Sequence, residues 1–414
     1  MPDTICFFYH PHVEYETQPD AQLGLGLLSL ATYAKDLGAE VSVINAQDVP
    51  ITKALKMIPN CKYLMLYGCM IDQDIIELIV MYLKHRDLPV PLVCIGGPIA
   101  KSIKKVNWPI MVLDGQGEDF IWTLCREDGW RPGHFHLPPL KLDINDYPFP
   151  RRDLIEGKMG GSIFKHRKID ESTTILTSRG CKYQCAFCTS GNEEFHESYS
   201  IERIEKEIEH CLSLGINNMR VSDDNILGSR LHKLCDIFKE AKIYWRASIR
   251  VKPNEVEIYE YMKESGCEEL SFGVESGDQD VLDLLNKKSK VEDNTKAVIN
   301  ANKARIKTVR VLMMMGTPGE TEQTLTRNKN WVAHAYPDSV SLKMFVPYPG
   351  TEIHENPGQY SCSIKMQDVN NSSYRPDNTE PKANISLWES NHDIEFNFGK
   401  MKKFIEDMGM ENKG

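Results

Sequence analysis

From residue 1 to about 135, short apolar runs alternate with stretches of helical period. Ile5–Tyr9 is apolar, Leu23–Leu37 has helical spacing and stops at Gly38, and Val41–Asn45 is strand-like. Tyr63–Tyr67 is apolar again, Asp72–His85 is helical, and Leu92–Ile95 ends at Gly96-Gly97. Ile110–Leu113 is a last strand before Gly115-Gln116-Gly117-Glu118 and a further helix. Strands alternating with helices predict a parallel, doubly wound (Rossmann-like) α/β domain. Ligands on such sheets bind at the carboxyl ends of the strands. The glycines there, Gly96, Gly97, Gly115 and Gly117, are where a bulky ligand can approach backbone, although a tight strand-to-helix turn also requires glycine.

The alternation resumes at residue 173. Thr173–Thr177 is β-branched and strand-like, and a helix with Ile201, Ile204, Ile208, Cys211 and Leu212 on one face follows. Asn218–Asp224 is a strand ending in acids, Leu231–Ala241 a helix, Tyr244–Val251 a strand, and Met262 closes another helix. Glu269–Gly273 starts a strand that ends Val274-Glu275-Ser276-Gly277. A helix at Thr295–Ala304, the strand Val309–Met315 with its turn Gly316–Thr321, and the strand Val340–Phe345 complete the set. Met313-Met314-Met315 reads as barrel core. Six strands with helical crossovers predict a partial (β/α)6 barrel; eight would close it. The expected domains are therefore 1–135, a proline-containing linker at 136–172, a barrel at 173–352 and a short C-terminal extension at 353–414. Leu142–Arg151, with Pro148 and Pro150, reads as an ordered strap. The extension opens with polar, irregular stretches (Asn370–Ser373, Pro376–Asn378, Pro381) and closes with a helix over Phe396–Met408, apolar at Phe398, Met401 and Phe404.

The 414 residues are 41% hydrophobic and 26% charged, the balance of a globular protein. A formal net charge of −10 argues against a broad nucleic-acid surface. The basic cluster Lys165-His166-Arg167-Lys168 reads as a solvated loop. No basic flank precedes an apolar run at the N-terminus, and Ile75–Leu83, interrupted by Glu77, is too short to span a bilayer. The expectation is a cytoplasmic chain without a membrane span. In that setting the 12 cysteines are expected to be reduced thiols or metal ligands. Nine, among them Cys6, Cys94, Cys211 and Cys235, lie in apolar patterns and read as small buried hydrophobes.

The remaining three form Cys181-Lys182-Tyr183-Gln184-Cys185-Ala186-Phe187-Cys188, directly after the Thr173–Thr177 strand. Thiolates hold iron–sulfur clusters or zinc. Three cysteines within eight residues can ligate three corners of a [4Fe-4S] cube and leave its fourth iron open, as a catalytic metal needs. A zinc site would want a fourth ligand, for which His196 is the nearest candidate.

The Cys-x3-Cys-x2-Cys spacing, with Phe187 before the last cysteine, resembles the radical S-adenosylmethionine superfamily. The resemblance implies that Cys181, Cys185 and Cys188 are the cluster ligands. It implies that the open iron binds the amino and carboxylate groups of S-adenosylmethionine. One electron then breaks a carbon–sulfur bond and releases a 5′-deoxyadenosyl radical. Phe187 lies in the motif itself. Asp223 falls where the family contacts the methionine amino group, and Arg250, Glu275 and Ser276 where it meets the carboxylate or ribose. Gly316 falls in the turn that passes the adenine. Each could instead be a helix cap or a surface ion pair, Asp223 or Asp224 as an N-cap being the strongest such case. An electron donor such as flavodoxin or ferredoxin is expected.

The glycine turns of the first domain, with Gln22-Leu23-Gly24-Leu25-Gly26-Leu27-Leu28, resemble the cobalamin-binding domain found before many radical enzymes. The Asp-x-His-x-x-Gly signature that supplies a histidine to cobalt is absent. The resemblance thus points to cobalamin held without a protein histidine, or to a fold kept without the cofactor. His10 and His12, near the first strand end, read as loop or surface residues. The leading expectation is cobalamin-dependent methyl transfer to an unactivated carbon or phosphorus centre of a small-molecule or peptide substrate. The alternatives are a cobalamin-free radical rearrangement, ring formation or cleavage, and a non-catalytic metal-binding module.

Overall fold

The computed structural model describes residues 4–10, 23–47, 49–68, 73–101, 103, 110–127, 129–137, 142–157, 159–161, 163–164, 171–192, 196–224, 226, 228–252, 255–364, 383–385 and 391–412. His12, the basic cluster at 165–168 and the polar stretches at 370–381 lie outside them. The chain divides into two compact units: residues 1–175 with 199–218, and residues 176–198 with 219–414.

In unit 1 the strands are β1 (Thr4–Tyr9), β2 (Glu40–Asn45), β3 (Tyr63–Tyr67), β4 (Leu92–Gly96), β5 (Ile110–Asp114), β6 (Gly133–His136) and β7 (Ile155–Gly157). They form one sheet in the order β6-β5-β4-β3-β1-β2-β7, with parallel pairing throughout. The helices are α1 (Leu25–Asp36), α2 (Ile51–Met57), α3 (Gln73–His85) and α4 (Glu118–Leu124). Strand side chains alternate between the two faces, and both faces are apolar. Ile5, Phe7, Met65 and Met111 pack with Leu27, Leu28 and Phe120 of α1 and α4. Cys6, Phe8, Leu64 and Leu66 pack with Leu55, Ile76 and Ile79 of α2 and α3. This is the doubly wound layering expected from the sequence. The central order β2-β1-β3-β4-β5 puts the topological switch between β1 and β3, which is where such sheets take ligands.

Part of the expected linker belongs to this sheet: β7 pairs with β2, Val43 opposite Ile155. Buried Arg152 ties the strap down; it pairs with Glu207 at 2.7 Å and donates to the Thr174 carbonyl at 2.6 Å. Helix α5 (Ile201–Ser213) also lies in unit 1, capped by Ser200 and burying Ile204, Ile208 and Cys211.

The second large sheet has the order β18-β15-β14-β13-β12-β11-β8. Its strands are β8 (Thr173–Ile175), β11 (Asn218–Val221), β12 (Tyr244–Ile249), β13 (Cys267–Glu275), β14 (Thr308–Met315), β15 (Ser339–Met344) and β18 (Glu411–Asn412). The pairs from β12 to β18 are parallel. Six strands fall where the sequence places them. The seventh, β18, follows the closing helix α12 (Asn391–Asp407) and pairs Glu411 with Ser339. Crossover helices in unit 2 are α6 (Gly228–Glu240), α7 (Val256–Glu264), α8 (Gln279–Leu284), α9 (Val291–Lys303) and α10 (Glu322–Ala335). Met313 and Met315 are buried, as a core strand requires. Two antiparallel strand pairs, β9 (Ser178–Gly180) with β10 (His196–Ser198) and β16 (Cys362–Ile364) with β17 (Ala383–Ile385), and the short helix α11 (Glu352–Glu355) also lie among the described residues. Among the described residues no helix is long and apolar enough to cross a membrane.

Candidate functional site

The three clustered cysteines sit on a loop that leaves β9 and is held by backbone contacts. Ala186 N donates to the Leu285 carbonyl at 2.9 Å, Ile353 N to the Ala186 carbonyl at 3.1 Å, and Cys188 N to the Cys185 carbonyl at 3.0 Å. Asn286 donates to the Gln184 carbonyl at 2.5 Å. Ala186 is buried against Val281, Leu285, Phe345 and Ile353, with Phe187 packed beside them. The loop is therefore pinned at its centre, which presents the cysteines from a fixed support. Cys185 is buried, while Cys181 and Cys188 are half-buried. Burial pushes the Cys181 thiol up, and the Tyr183 N–H and the Arg250 charge oppose it.

The donor chemistry fits an iron–sulfur cluster: all three groups are free thiols carried on one short loop. Among the described residues no group of three or more His, Cys, Asp or Glu is arranged to hold a single metal ion. His196 lies in β10 opposite Gly180.

The other site candidates fall into two kinds. Asp223, just after β11, is buried and faces the start of the cysteine loop. Its carboxylate accepts from Thr177 N at 2.6 Å, from the Thr177 hydroxyl and from the Ser178 hydroxyl at 2.7 Å. Burial raises its pKa, and these bonds counter the rise. Ser276 donates to Asn328 at 3.1 Å and accepts from Asp278 N at 3.2 Å. Glu275 takes Lys287 Nζ at 2.7 Å in a buried pair. These three groups thus hold the chain's own backbone and side chains around the site.

Glu275 has φ +65, an arrangement that costs a non-glycine residue about 1–3 kcal/mol. It sits at a register shift of β13 against β14, a bulge of the sort that re-aims side chains beside active sites. Gly273 makes room for the ion pair: a Cβ there would lie 2.8 Å from Glu275 Oε1 and 3.0 Å from Lys287 Nζ.

Gly316 turns with φ +80, and its N–H donates to Glu320 at 2.8 Å. The Glu320 carboxylate also accepts from Thr317 at 2.8 Å. Arg250, just after β12, contacts the cysteine loop. Its Nη1 is 3.5 Å from Cys185 Sγ, its guanidinium stacks 3.8 Å from the Tyr183 ring centroid, and its Nη2 donates to the Lys287 carbonyl. The Lys287 ammonium is 5.6 Å from the centroid of the Phe187 ring. Lys287, Tyr183, Thr177 and Glu320 were not singled out from the sequence. Lys287 stands among Lys288 and Lys290, which look like a solvated charge run.

At the switch point of unit 1 the glycines have mostly internal reasons. A Cβ on Gly97 (φ +89) would meet the Tyr67 ring at 2.8 Å, and one on Gly117 would meet Leu30 at 2.8 Å. One on Gly115 (φ +122) would meet the Leu137 carbonyl at 2.8 Å. Only at Gly96, of these four, is the nearest atom as far as 3.9 Å. Gly24, before α1, is packed against the same Tyr67 ring at 2.7 Å. Tyr67, at the end of β3, therefore sits at the edge where a ligand would lie. His10 lies in the loop after β1, one of the two placements expected, but is buried there and bonds to the Val49 carbonyl at 2.8 Å. The space at Gly96, next to the turn packed on Tyr67, fits a ligand that approaches backbone at this edge.

Residues 175–332 match the model of the Radical SAM superfamily, so the chain carries a radical SAM domain. An uncharacterised methyltransferase of Pyrococcus horikoshii is 27% identical over 228 residues, 52% of this chain and 48% of that protein. The bacteriochlorophyllide d C-12(1)-methyltransferase of Chlorobaculum tepidum is 27% identical over 202 residues, 46% of this chain and 43% of that protein. The chain thus spans about half the length of these curated relatives. Among solved structures, the radical S-adenosylmethionine methyltransferase TsrM from Kitasatospora setae, with cobalamin and a [4Fe-4S] cluster bound, superposes with TM-score 0.68. That match has 15% identity and covers 96% of this chain and 82% of the other. The shared fold takes in both units, an α/β domain followed by a radical SAM barrel.

Proposed function

We propose that this chain is a radical S-adenosylmethionine enzyme that carries out cobalamin-dependent methyl transfer to an unactivated carbon or phosphorus centre. The observation that carries the reading is the pinned loop bearing Cys181, Cys185 and Cys188, with one thiol buried and two half-buried. These thiolates would hold a [4Fe-4S] cluster, which supplies one-electron chemistry to S-adenosylmethionine at its open iron. Around it the chain's own residues fix geometry. Asp223 braces the start of the loop, Phe187 and Ala186 cover its inner side, and Glu320 holds the Gly316 turn that would pass the adenine. Gly96 and Tyr67 line the edge that would take cobalamin. The methyl-transfer part is supported by relatives named as methyltransferases and by a fold match to a cobalamin-bound methyltransferase. A small-molecule or peptide substrate, a flavodoxin- or ferredoxin-type electron donor and a cytoplasmic setting complete the proposal.

One observation favours a second reading without cobalamin: Gly97, Gly115 and Gly117 are already required by Tyr67, Leu137 and Leu30. Anaerobic reconstitution with iron and sulfide, then with hydroxocobalamin, separates the two. The proposal expects iron and sulfide in the protein, co-purifying cobalamin and reductant-dependent cleavage of S-adenosylmethionine. Cleavage by protein that retains no cobalamin would favour the second reading. Protein that binds zinc in place of iron would reject both. Cys185→Ala should lose iron and cleavage together.

A further inference from the structure

Arg250 stands in an unusual position for a surface cation. It is placed between the aromatic ring and the central cysteine of one loop, with Tyr183 3.8 Å from its guanidinium carbon and Cys185 Sγ 3.5 Å from Nη1. The bond from Nη2 to the Lys287 carbonyl fixes the fork in its plane. The nearby Lys287 charge is matched by Glu275 at 2.7 Å. Arg250, among the described residues, makes no ion pair with a carboxylate. Its charge is therefore directed at the Cys185 sulfur. A planar guanidinium stacked on a ring keeps its direction, which an ammonium on a flexible stem does not.

We propose that Arg250 is a positioning residue that sets the reduction potential of the cluster through its N–H contact to Cys185 Sγ. The inference rests on the cluster reading of the preceding section. Hydrogen bonds to cluster sulfurs and charges near them set the potential. Taking one electron adds one negative charge to the cluster and its thiolates. A fixed cation against Sγ stabilises that reduced form more than the oxidised one, so it raises the potential and eases reduction by a weak biological donor. In the titration the electron comes from dithionite, and no proton or bond is exchanged at Arg250.

The test is a redox titration of the reconstituted full chain, followed by the EPR signal of the reduced cluster, without substrate. Arg250→Gln should keep the iron and sulfide content of the unaltered protein. Its reduction equilibrium should shift about tenfold toward the oxidised form, which is about 59 mV for a one-electron couple. Arg250→Lys should recover part of the shift, and Tyr183→Leu, which removes the stacking surface but leaves the charge, should show part of it. A fully loaded Arg250→Gln cluster with an unchanged midpoint overturns the proposal. If Arg250→Gln fails to hold iron, the Lys and Leu variants decide: lowered midpoints support the role, and unaltered ones overturn it. Loss of the cluster from all three folded variants also overturns it, because Arg250 then acts in assembly and not in tuning. An unaltered protein that takes up no iron and sulfide refutes the cluster reading itself, an outcome distinct from any of these.

Discussion

The buried carboxylate of Glu320 makes stability depend on pH in a direction opposite to that of most surface acids. Desolvation pushes its pKa up from 4.5 to about 7, against the lowering effect of bonds from Gly316 and Thr317. A raised carboxyl pKa means that the folded chain holds a proton which the unfolded chain has released. Between pH 4.5 and about 7 the folded state binds more protons, so stability falls as pH rises through that window. The full rise corresponds to about 3 kcal/mol, present below the window and lost above it. Glu320→Gln keeps the shape. Its carbonyl can accept from Gly316 N, and its amide can donate to the Thr317 hydroxyl, which then turns its own proton elsewhere. The variant should therefore lack this part of the pH slope, and should exceed the parent in stability by about 2–3 kcal/mol near pH 8. Near pH 4 the two should be alike. Urea unfolding of the cluster-free chain, followed by tryptophan fluorescence at half-unit steps from pH 4 to 8.5, measures the difference. A gap between parent and variant that stays constant across that range would refute the reasoning.

Three further outcomes follow from the same contacts. Asp223→Ala strands the Thr177 N–H and two hydroxyls without their acceptor and should cost about 3–5 kcal/mol in urea unfolding, whereas Asp223→Asn, which can still accept from Thr177 N, should cost about 1–2. Equal losses would show that the hydrogen bonds do not matter. Lys287→Met leaves the Glu275 carboxylate buried and unpaired and should cost about 3–5 kcal/mol; adding Glu275→Gln should recover most of it, and a double variant no better than the single would contradict the pairing. In unit 1, Gly115→Ala meets a backbone carbonyl at positive φ and should cost about 2–4 kcal/mol, while Gly117→Ala meets only the tip of Leu30 and should cost about 1 or less. Thermal unfolding checks the order, and equal costs would undo the packing account of these glycines.

How much of this was legible before the structure depends on how far each feature spreads along the chain. Long apolar runs announce themselves. Tyr63–Tyr67 is a strand with the limits read from the pattern, and the helix read as Leu23–Leu37 spans Leu25–Asp36. Short elements do not: β7 (Ile155–Gly157) and β18 (Glu411–Asn412) carry no periodicity, and pairing with a neighbour already in place makes them strands. The linker and the tail therefore contribute edge strands that their composition could not advertise. Likewise α2 (Ile51–Met57) is too short for a helical period to stand out.

The site divides along the same line. The three cysteines are legible because their spacing is local and thiolate chemistry is narrow. Asp223, Glu275 and Ser276 lie at or just after strand ends, and what their polar atoms do depends on partners far along the chain: Asp223 on Thr177, Glu275 on Lys287, Ser276 on Asn328. No spacing rule links such pairs. A polar residue at a strand end has two ways to meet its hydrogen-bonding need, a ligand or the chain itself, and only folded geometry decides between them. Where the chain already satisfies the group, its contribution to chemistry is to hold the loop still. That is why Arg250, whose charge points at the Cys185 sulfur and not at a carboxylate, is the residue from this set whose change should reach the electronic properties of the proposed cluster.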